Sequence, residues 1–379
     1  KVQKGRLSIS FHLKKYWINK LQNKQNLLGH SLESLEDFFI KNNESKFRAK
    51  QLLKWIHQKG ILDFNLMTDF NKDLRKKLNS IAFIQPPTIY EEHISKEGTI
   101  KYLIELESGS MIEMVEIPEK KRRTLCISSQ AGCALQCTFC ATGAQGFEQN
   151  LKSHEIIGQL WLSNFHKKHN KPITNIVFMG MGEPLLNFDP VIESAKIMKH
   201  QLAYGLSRKR ITISTSGIVP KIEELHDEID VSLAISLHAP DDELRDEIVP
   251  INNKYPIKSL LKACKDYLDK YENKRSITIE YVLIEDVNDS ISHAKKLTKL
   301  LSSLSCKINL IPFNSFSGSS YKRPTDKKIK LFKDQLVNKG FITTLRVTRG
   351  DEVDGACGQL VGNLNNSIKG KHLISHKSL

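Results

Sequence analysis

Three cysteines crowd into the segment Cys133-Ala-Leu-Gln-Cys137-Thr-Phe-Cys140. Thiolates at these spacings can ligate three irons of a [4Fe–4S] cluster. The fourth iron is then open to an external molecule, and Cys is the usual ligand of such clusters. A closed structural zinc site would want four ligands, often as two CxxC pairs. Cys126 is an available fourth, so a zinc-dependent RNA-binding module without catalysis is the competing reading. The chain holds 7 cysteines, an odd number concentrated in one place. That fits a metal or cluster site in a reducing compartment better than a disulfide framework. Cys264 falls on a predicted helix and Cys306 just before a predicted strand; both read as structural. Cys357 lies in the Gly-rich run Asp354-Gly-Ala-Cys-Gly-Gln359, which suits an accessible thiol. The acids beside it, Asp351, Glu352 and Asp354, would not draw out its proton, so its activation must come from elsewhere. Read alone, Cys126 is a small buried hydrophobe in an apolar strand. Glu113, in the alternating Ser110-Met-Ile-Glu-Met-Val115, reads alone as a solvent-facing acid.

These groups need a scaffold, and the chain describes one. Apolar runs at 124–128, 174–179, 210–215, 231–236, 276–283, 307–312 and 342–348 read as strands. Helix-like segments at 153–165, 190–204, 257–271, 291–304 and 325–339 separate most of them. In the first, Ser153 can cap and Ile156, Ile157, Leu160 and Trp161 share a face. Strand–helix alternation means parallel βα units, here an α/β fold with a partial (β/α)6 barrel over 124–362. Polar and Gly-rich residues mark the strand C-terminal ends: Gly180, Gly182 and Glu183; Ser214, Thr215 and Ser216; Ser236 and His238; Asn314. Barrels place active sites on that face. Ahead of the barrel, 31–85 reads as a small helical accessory domain, with Leu32, Leu35, Phe38 and Phe39 and then Ala49, Leu52, Leu53 and Ile56 at helical spacing. A linking β segment, 86–123, alternates in Thr99–Ile104.

The C-x3-C-x-aromatic-C pattern, with Phe139 as its aromatic, resembles the signature of radical S-adenosylmethionine (SAM) enzymes. That resemblance implies a SAM molecule on the open iron of the cluster. It implies cofactor contacts from Phe139, Gly182 and Glu183 in Gly180-Met-Gly-Glu-Pro-Leu185, from Ser214, from Ser236-Leu237-His238 and from Asn314. Glu183 would accept from the SAM ammonium. With Ile117-Pro-Glu119, Ser236-Leu-His-Ala-Pro240, Glu247-Ile-Val-Pro-Ile-Asn252 and the extra thiols Cys126 and Cys357, residues 31–362 resemble the RlmN-type adenine-C2 RNA methyltransferases. The resemblance implies two SAM per turnover and a methyl group carried on Cys357. It implies a covalent RNA–protein adduct, Glu113 as the base that removes the C2 proton, and Cys126 as the thiol that resolves the adduct by forming a disulfide with Cys357. The substrates implied are an adenosine of 23S rRNA and an anticodon-adjacent adenosine of tRNA. A Cfr-type adenine-C8 enzyme would use the same cysteines, but its corresponding element reads GMGEAL where this chain has Pro184.

Formal net charge is +15. Residues 1–30, a basic N-terminal extension, hold seven Lys or Arg and no acid, and the basic tail 363–379 holds three Lys and no acid. Lys46, Arg48, Lys50, Lys54, Arg75, Lys76 and Lys77 decorate the helical domain, and Lys120–Arg123 and Arg208–Arg210 precede two barrel strands. Such clusters suit phosphate backbones, and the helical domain is the expected grip on RNA shape. Adenine C2 is hidden in a duplex, so chemistry there needs an unstacked base. The chain begins at Lys1, as a trimmed chain would. Arg6 is the only arginine of the first 30 residues, which is poor for a transit peptide, and no apolar h-region is present. The expectation is a cytoplasmic monomer, off the membrane, reduced by an electron donor such as flavodoxin.

Overall fold

The computed structural model describes residues 24–166, 171–271, 275–346 and 353–362. Most of the N-terminal extension (1–23), the tail 363–379, and Asp351 and Glu352 beside Cys357 lie outside the described residues.

Three helices form the N-terminal unit: α1 (Leu32–Lys41), α2 (Phe47–His57) and α3 (Lys72–Ile81). Ser31 Oγ accepts from Ser34 N at 3.3 Å and Asn71 Oδ1 from Leu74 N at 2.8 Å, which satisfies first-turn donors of α1 and α3. The inward stripes are Leu35, Phe38 and Phe39 on α1, then Ala49, Leu52, Leu53 and Ile56 on α2. They join one apolar core with the barrel. Polar ties reinforce that seam: Ser31 N donates to Glu193 Oε1 at 2.7 Å, and Trp161 Nε1 to Ile56 O at 3.1 Å.

The main sheet has 10 strands among the described residues. In chain order they are β1 (Thr88–Ile94), β2 (Ile100–Glu105), β3 (Met111–Pro118), β4 (Arg123–Cys126), β5 (Asn175–Phe178), β6 (Ile211–Thr215), β7 (Ser232–Ser236), β8 (Ile277–Leu283), β9 (Cys306–Pro312) and β10 (Thr343–Leu345). From β4 to β10 every neighbouring pair is parallel and in chain order. Between successive strands run α4 (Ser153–Phe165), α5 (Phe188–Lys199), α6 (Val219–Glu228), α7 (Asp242–Ile248) with α8 (Ile257–Asp269), α9 (Ile291–Leu300) and α10 (Asp326–Asn338). Six of the strand windows read from the sequence coincide with β4–β9, whose apolar runs reflect burial; in the seventh, the edge strand β10 covers only Thr343–Leu345 and is mostly exposed, and residues 347–348 lie outside the described residues. The sheet does not close: β10 and β1 are its edges, so the barrel is partial.

The structure changes two details of the sequence reading. The segment 86–123 does more than link: β1, β2 and β3 are antiparallel and continue the barrel sheet beyond β4. Ser153 does not cap α4. Lys152 occupies that position, and its own N–H donates to Glu155 Oε2 at 2.9 Å, so a first-turn carboxylate satisfies the donor of the cap residue. Helices α6 and α7 were not apparent from periodicity.

Candidate active site

The parallel strands deliver their C-terminal residues to one cavity. It is lined by Phe139, Cys140, Gly182, Glu183, Ser214, Ser236, His238, Asn314 and Cys357 from the sequence-derived set, and also by Ser216, Glu280 and Arg346. Cys133 and Cys137 sit behind Cys140 in the loop after β4. Leu237 is not part of the lining. Its side chain is fully buried, its N–H donates to Glu280 O at 3.1 Å, and its carbonyl accepts from Arg245 Nε at 3.0 Å.

The loop geometry explains why these residue types are needed. Gly182 has φ +92°, and a Cβ there would stand 2.4 Å from the Gln130 Cβ and 2.8 Å from the Gln130 N. Only glycine turns the chain so tightly against the cysteine segment. The turn hands Glu183 N to Gln130 Oε1 at 2.8 Å. The buried Glu183 carboxylate then accepts from Leu185 N at 3.1 Å and Ser216 N at 2.8 Å. Burial pushes its carboxyl up to about 7, against the pull of bonds from Ser216, Thr215 and Leu185. His238 adopts φ +61°. Its Nδ1 accepts from Val282 N at 3.0 Å, which leaves the proton on Nε2. Burial lowers this imidazole to about 3, so it is a neutral donor. Phe139 meets it edge-on with ring centroids 4.7 Å apart. The hydroxyls of Ser214 and Ser236 face each other at 3.5 Å across β6 and β7.

The cysteine loop suits a cluster. Cys133, Cys137 and Cys140 are free thiols on one loop beside the cavity, and thiolates are the usual ligands of iron–sulfur clusters. Burial pushes the Cys133 thiol up to about 12 and the Cys137 thiol higher, so the thiols need iron to take their protons' place. Cys133, Cys137 and Cys140 would hold three irons, and the adjoining cavity offers acceptors for an ammonium at Glu183 and polar groups for a nucleoside at Ser214, Ser236, His238 and Asn314.

Cys357 reaches this cavity on the segment 353–362, which is pinned from several sides. Ala141 N donates to Gly358 O at 2.8 Å, Thr142 Oγ1 to Leu360 O at 2.6 Å, and Asn314 Nδ2 to Cys357 O at 3.2 Å. Val361 N donates to Glu113 Oε2 at 3.0 Å. Cys126 is buried at the end of β4, and both it and Cys357 are free thiols. Burial pushes Cys126 up to about 12 and also raises Cys357. The strongest influence opposing burial at Cys357 is the Arg346 guanidinium, which also acts on Cys126. Arg346 follows β10, its N–H donating to Leu310 O at 2.8 Å. It answers the question left by the acids around Cys357. In the sequence it falls inside the strand window 342–348, which hid its place just beyond the C-terminal end of β10. Glu113 is buried rather than solvent-facing. Its Oε1 pairs with Lys101 Nζ at 3.1 Å, and it lies outside the cavity lining. Cys264 is buried on α8, and Cys306 opens β9; neither lines the cavity.

Basic residues divide. Arg123 is buried against Glu116, with Nη2–Oε1 at 2.6 Å, so it is structural. Lys120, Lys121 and Arg122 are exposed, as are Lys46, Lys50, Lys54 and Lys76. No helix among the described residues is long and apolar enough to cross a membrane.

Comparison with known proteins agrees with this geometry. Residues 25–84 match the Ribosomal RNA large subunit methyltransferase N-terminal domain, and residues 127–297 match the Radical SAM superfamily. The chain is 53% identical over 351 residues to the Dual-specificity RNA methyltransferase RlmN of Pseudomonas putida, covering 91% of this chain and 92% of that protein. It is 53% identical to the protein of the same description from Pseudomonas entomophila, covering 91% and 93%. The crystal structure of a radical SAM methyltransferase from Sphaerobacter thermophilus superposes with a TM-score of 0.84 at 37% identity, covering 89% of this chain and 100% of that one. With its cysteine loop, strand-end cavity and loop thiol joined in one site, the chain belongs to the RlmN family of radical SAM methyltransferases.

Proposed function

We propose that this enzyme methylates C2 of adenosine in 23S rRNA and in tRNA, with Cys357 as the methyl carrier and Cys126 as the resolving thiol. The observation that carries this reading is the seating of Cys357 in the cavity lined by Cys140, Glu183, Ser214, His238 and Asn314, with a second free thiol, Cys126, at the end of β4. When bound, the cluster and SAM supply a methyl group and a hydrogen-abstracting 5′-deoxyadenosyl radical. Cys133, Cys137 and Cys140 hold the cluster, Glu183 accepts from the SAM ammonium, and the neutral His238 donates through Nε2. Cys357 must lose its proton to become a methyl acceptor, and Arg346 favours the thiolate electrostatically. Glu113 takes the C2 proton once the Val361 contact yields, and the one electron that must also leave the adduct would be taken up by the cluster. Cys126, as its thiolate, then attacks the Cys357 sulfur; the S–S bond forms as the S–CH2 bond to RNA breaks, and the electron pair left on the methylene carbon takes up a proton, equivalent to the one lost by the Cys126 thiol, to complete the methyl group. The exposed lysines of α1–α3 supply phosphate contacts. An electron donor such as flavodoxin reduces the cluster, and the enzyme works as a cytoplasmic monomer. The test is turnover of the anaerobically reconstituted protein on unmodified 23S rRNA and tRNA, followed by nucleoside mass spectrometry. The expected product from both is 2-methyladenosine; 8-methyladenosine, or no methylated adenosine, overturns the reading.

A further inference from the structure

Helix α7 (Asp242–Ile248) lies directly behind the cysteine loop. Thr138 N donates to Ile248 O at 3.2 Å, and Cys137 packs against the apolar group of Ala239, Ile248 and Val249. Arg245, on this helix, is 0% exposed. Its Nε donates to Leu237 O at 3.0 Å, its Nη1 to Asn252 Oδ1 at 2.7 Å, and its Nη2 to Ser216 O at 2.6 Å and Ser236 O at 3.2 Å. These acceptors are all uncharged. Asp242 and Asp246 meet the guanidinium only through Asn252, whose Nδ2 donates to Asp242 Oδ1 at 2.9 Å and Asp246 Oδ1 at 2.7 Å. Among the described residues Arg245 has no direct carboxylate partner. Burial brings it down to about 10, so it stays charged at neutral pH, and its helix abuts the Cys137 segment through the Thr138–Ile248 bond and the Cys137 packing.

A buried charge without a counter-charge is costly, and stability alone would be served as well by a neutral donor. We propose that Arg245 is a positioning residue that fixes a positive charge behind Cys137 and thereby favours the reduced state of the cluster, while its bonds to Ser216, Ser236 and Leu237 hold the ends of β6 and β7. Reduction adds one negative charge to the cluster. A fixed cation in a low-dielectric setting stabilises that charge, and net charge and hydrogen bonding are what set cluster potentials. The inference rests on Cys133, Cys137 and Cys140 holding the cluster.

The test is a mediator-coupled redox titration of the anaerobically reconstituted full chain without SAM, read by the paramagnetic signal of the reduced cluster and normalised to bound iron. At the potential where the parent is half reduced, Arg245→Met should lower the reduced-to-oxidised ratio about tenfold, equivalent to about 59 mV for one electron. Arg245→Lys keeps the charge but loses most of the carbonyl bonds, and should stay within about threefold of the parent. An iron-loaded Arg245→Met with the parent's ratio overturns the proposal. So does an Arg245→Lys that shifts as far as Arg245→Met, because bonds and not charge would then matter. If Arg245→Met fails to take up the cluster, Asp246→Asn decides. Removing this acid leaves the cation less screened and should raise the reduced-to-oxidised ratio about twofold, whereas no rise overturns the proposal. A parent chain that takes up no iron–sulfur cluster would instead refute the cluster assignment itself.

Discussion

Breaking the buried pair between β2 and β3 should destabilise the fold and silence the site together. Lys101 Nζ lies 3.1 Å from Glu113 Oε1, with side chains 10% and 7% exposed. At that distance and an effective dielectric of ~20, the attraction is about 5 kcal/mol before desolvation. Desolvation cancels most of it in the intact pair, but removing one partner leaves a buried charge uncompensated, at about 3–5 kcal/mol. The variants are Lys101→Met, Glu113→Gln and the double substitution, compared by chemical denaturation at pH 7 with matched slopes. Lys101→Met alone should lose about 3–5 kcal/mol. The double variant should lose roughly 2 kcal/mol less than the two single losses added, because the residues are in contact. Glu113 also accepts from Val361 N on the Cys357 segment, so both single variants should turn over RNA more slowly even when fully folded and iron-loaded. Single losses under about 1 kcal/mol that simply add would refute the pair as a buried, coupled unit.

Other perturbations follow from the same geometry. Gly182→Ala drives a Cβ into Gln130 and should weaken SAM binding more than about tenfold, or more than about 1.4 kcal/mol, by calorimetry; parent-like affinity would contradict the tight turn. Each of Cys133→Ala, Cys137→Ala and Cys140→Ala should remove the brown colour and most of the roughly four irons expected per chain, and a fully loaded variant would exclude that cysteine as a ligand. His57 is buried, its Nδ1 is 3.1 Å from Tyr204 Oη, and burial lowers it from 6.5 to about 3. The unfolded chain therefore takes up this proton first as pH falls. The contribution is neutral above 6.5, and below it stability falls by up to about 1.4 kcal/mol per pH unit. His57→Gln should flatten the acid limb of unfolding free energy between pH 6.5 and 4; an unchanged slope would contradict the assignment.

How legible the molecule was depended on which forces shaped each part. The parallel strands β4–β9 were visible because strands largely buried on both faces read as near-continuous apolar runs; the edge strand β10 is mostly exposed. The strand-end rule then gathered Glu183, Ser214, Ser236, His238 and Asn314, which line one cavity in the structure. Charged residues buried by tertiary context were not visible. Alternation around Glu113 suggested a solvent-facing side, but β2 and the Val361 segment cover it, and all of Met111–Glu116 is buried. Arg245 sits in an acidic stretch with no apolar periodicity to mark it as buried, and only the fold shows the carbonyls at the ends of β6 and β7 turned toward it. Leu237 was drawn into the site by its neighbours in Ser236-Leu237-His238, yet a fully buried side chain between two cavity-lining residues is ordinary strand-end alternation.

The account's central claim is that two thiols divide the work, Cys357 carrying the methyl group and Cys126 releasing the product. Cys126→Ala should leave the methylation of Cys357 and the bond to RNA intact and block only resolution. After anaerobic incubation with SAM, reductant and 23S rRNA or tRNA, this variant should show a shifted, RNase-sensitive band on a denaturing gel, mapped by peptide mass spectrometry to Cys357. Cys357→Ala and the double variant should show no such band. Full turnover by Cys126→Ala, or the same adduct in Cys357→Ala, would contradict the account.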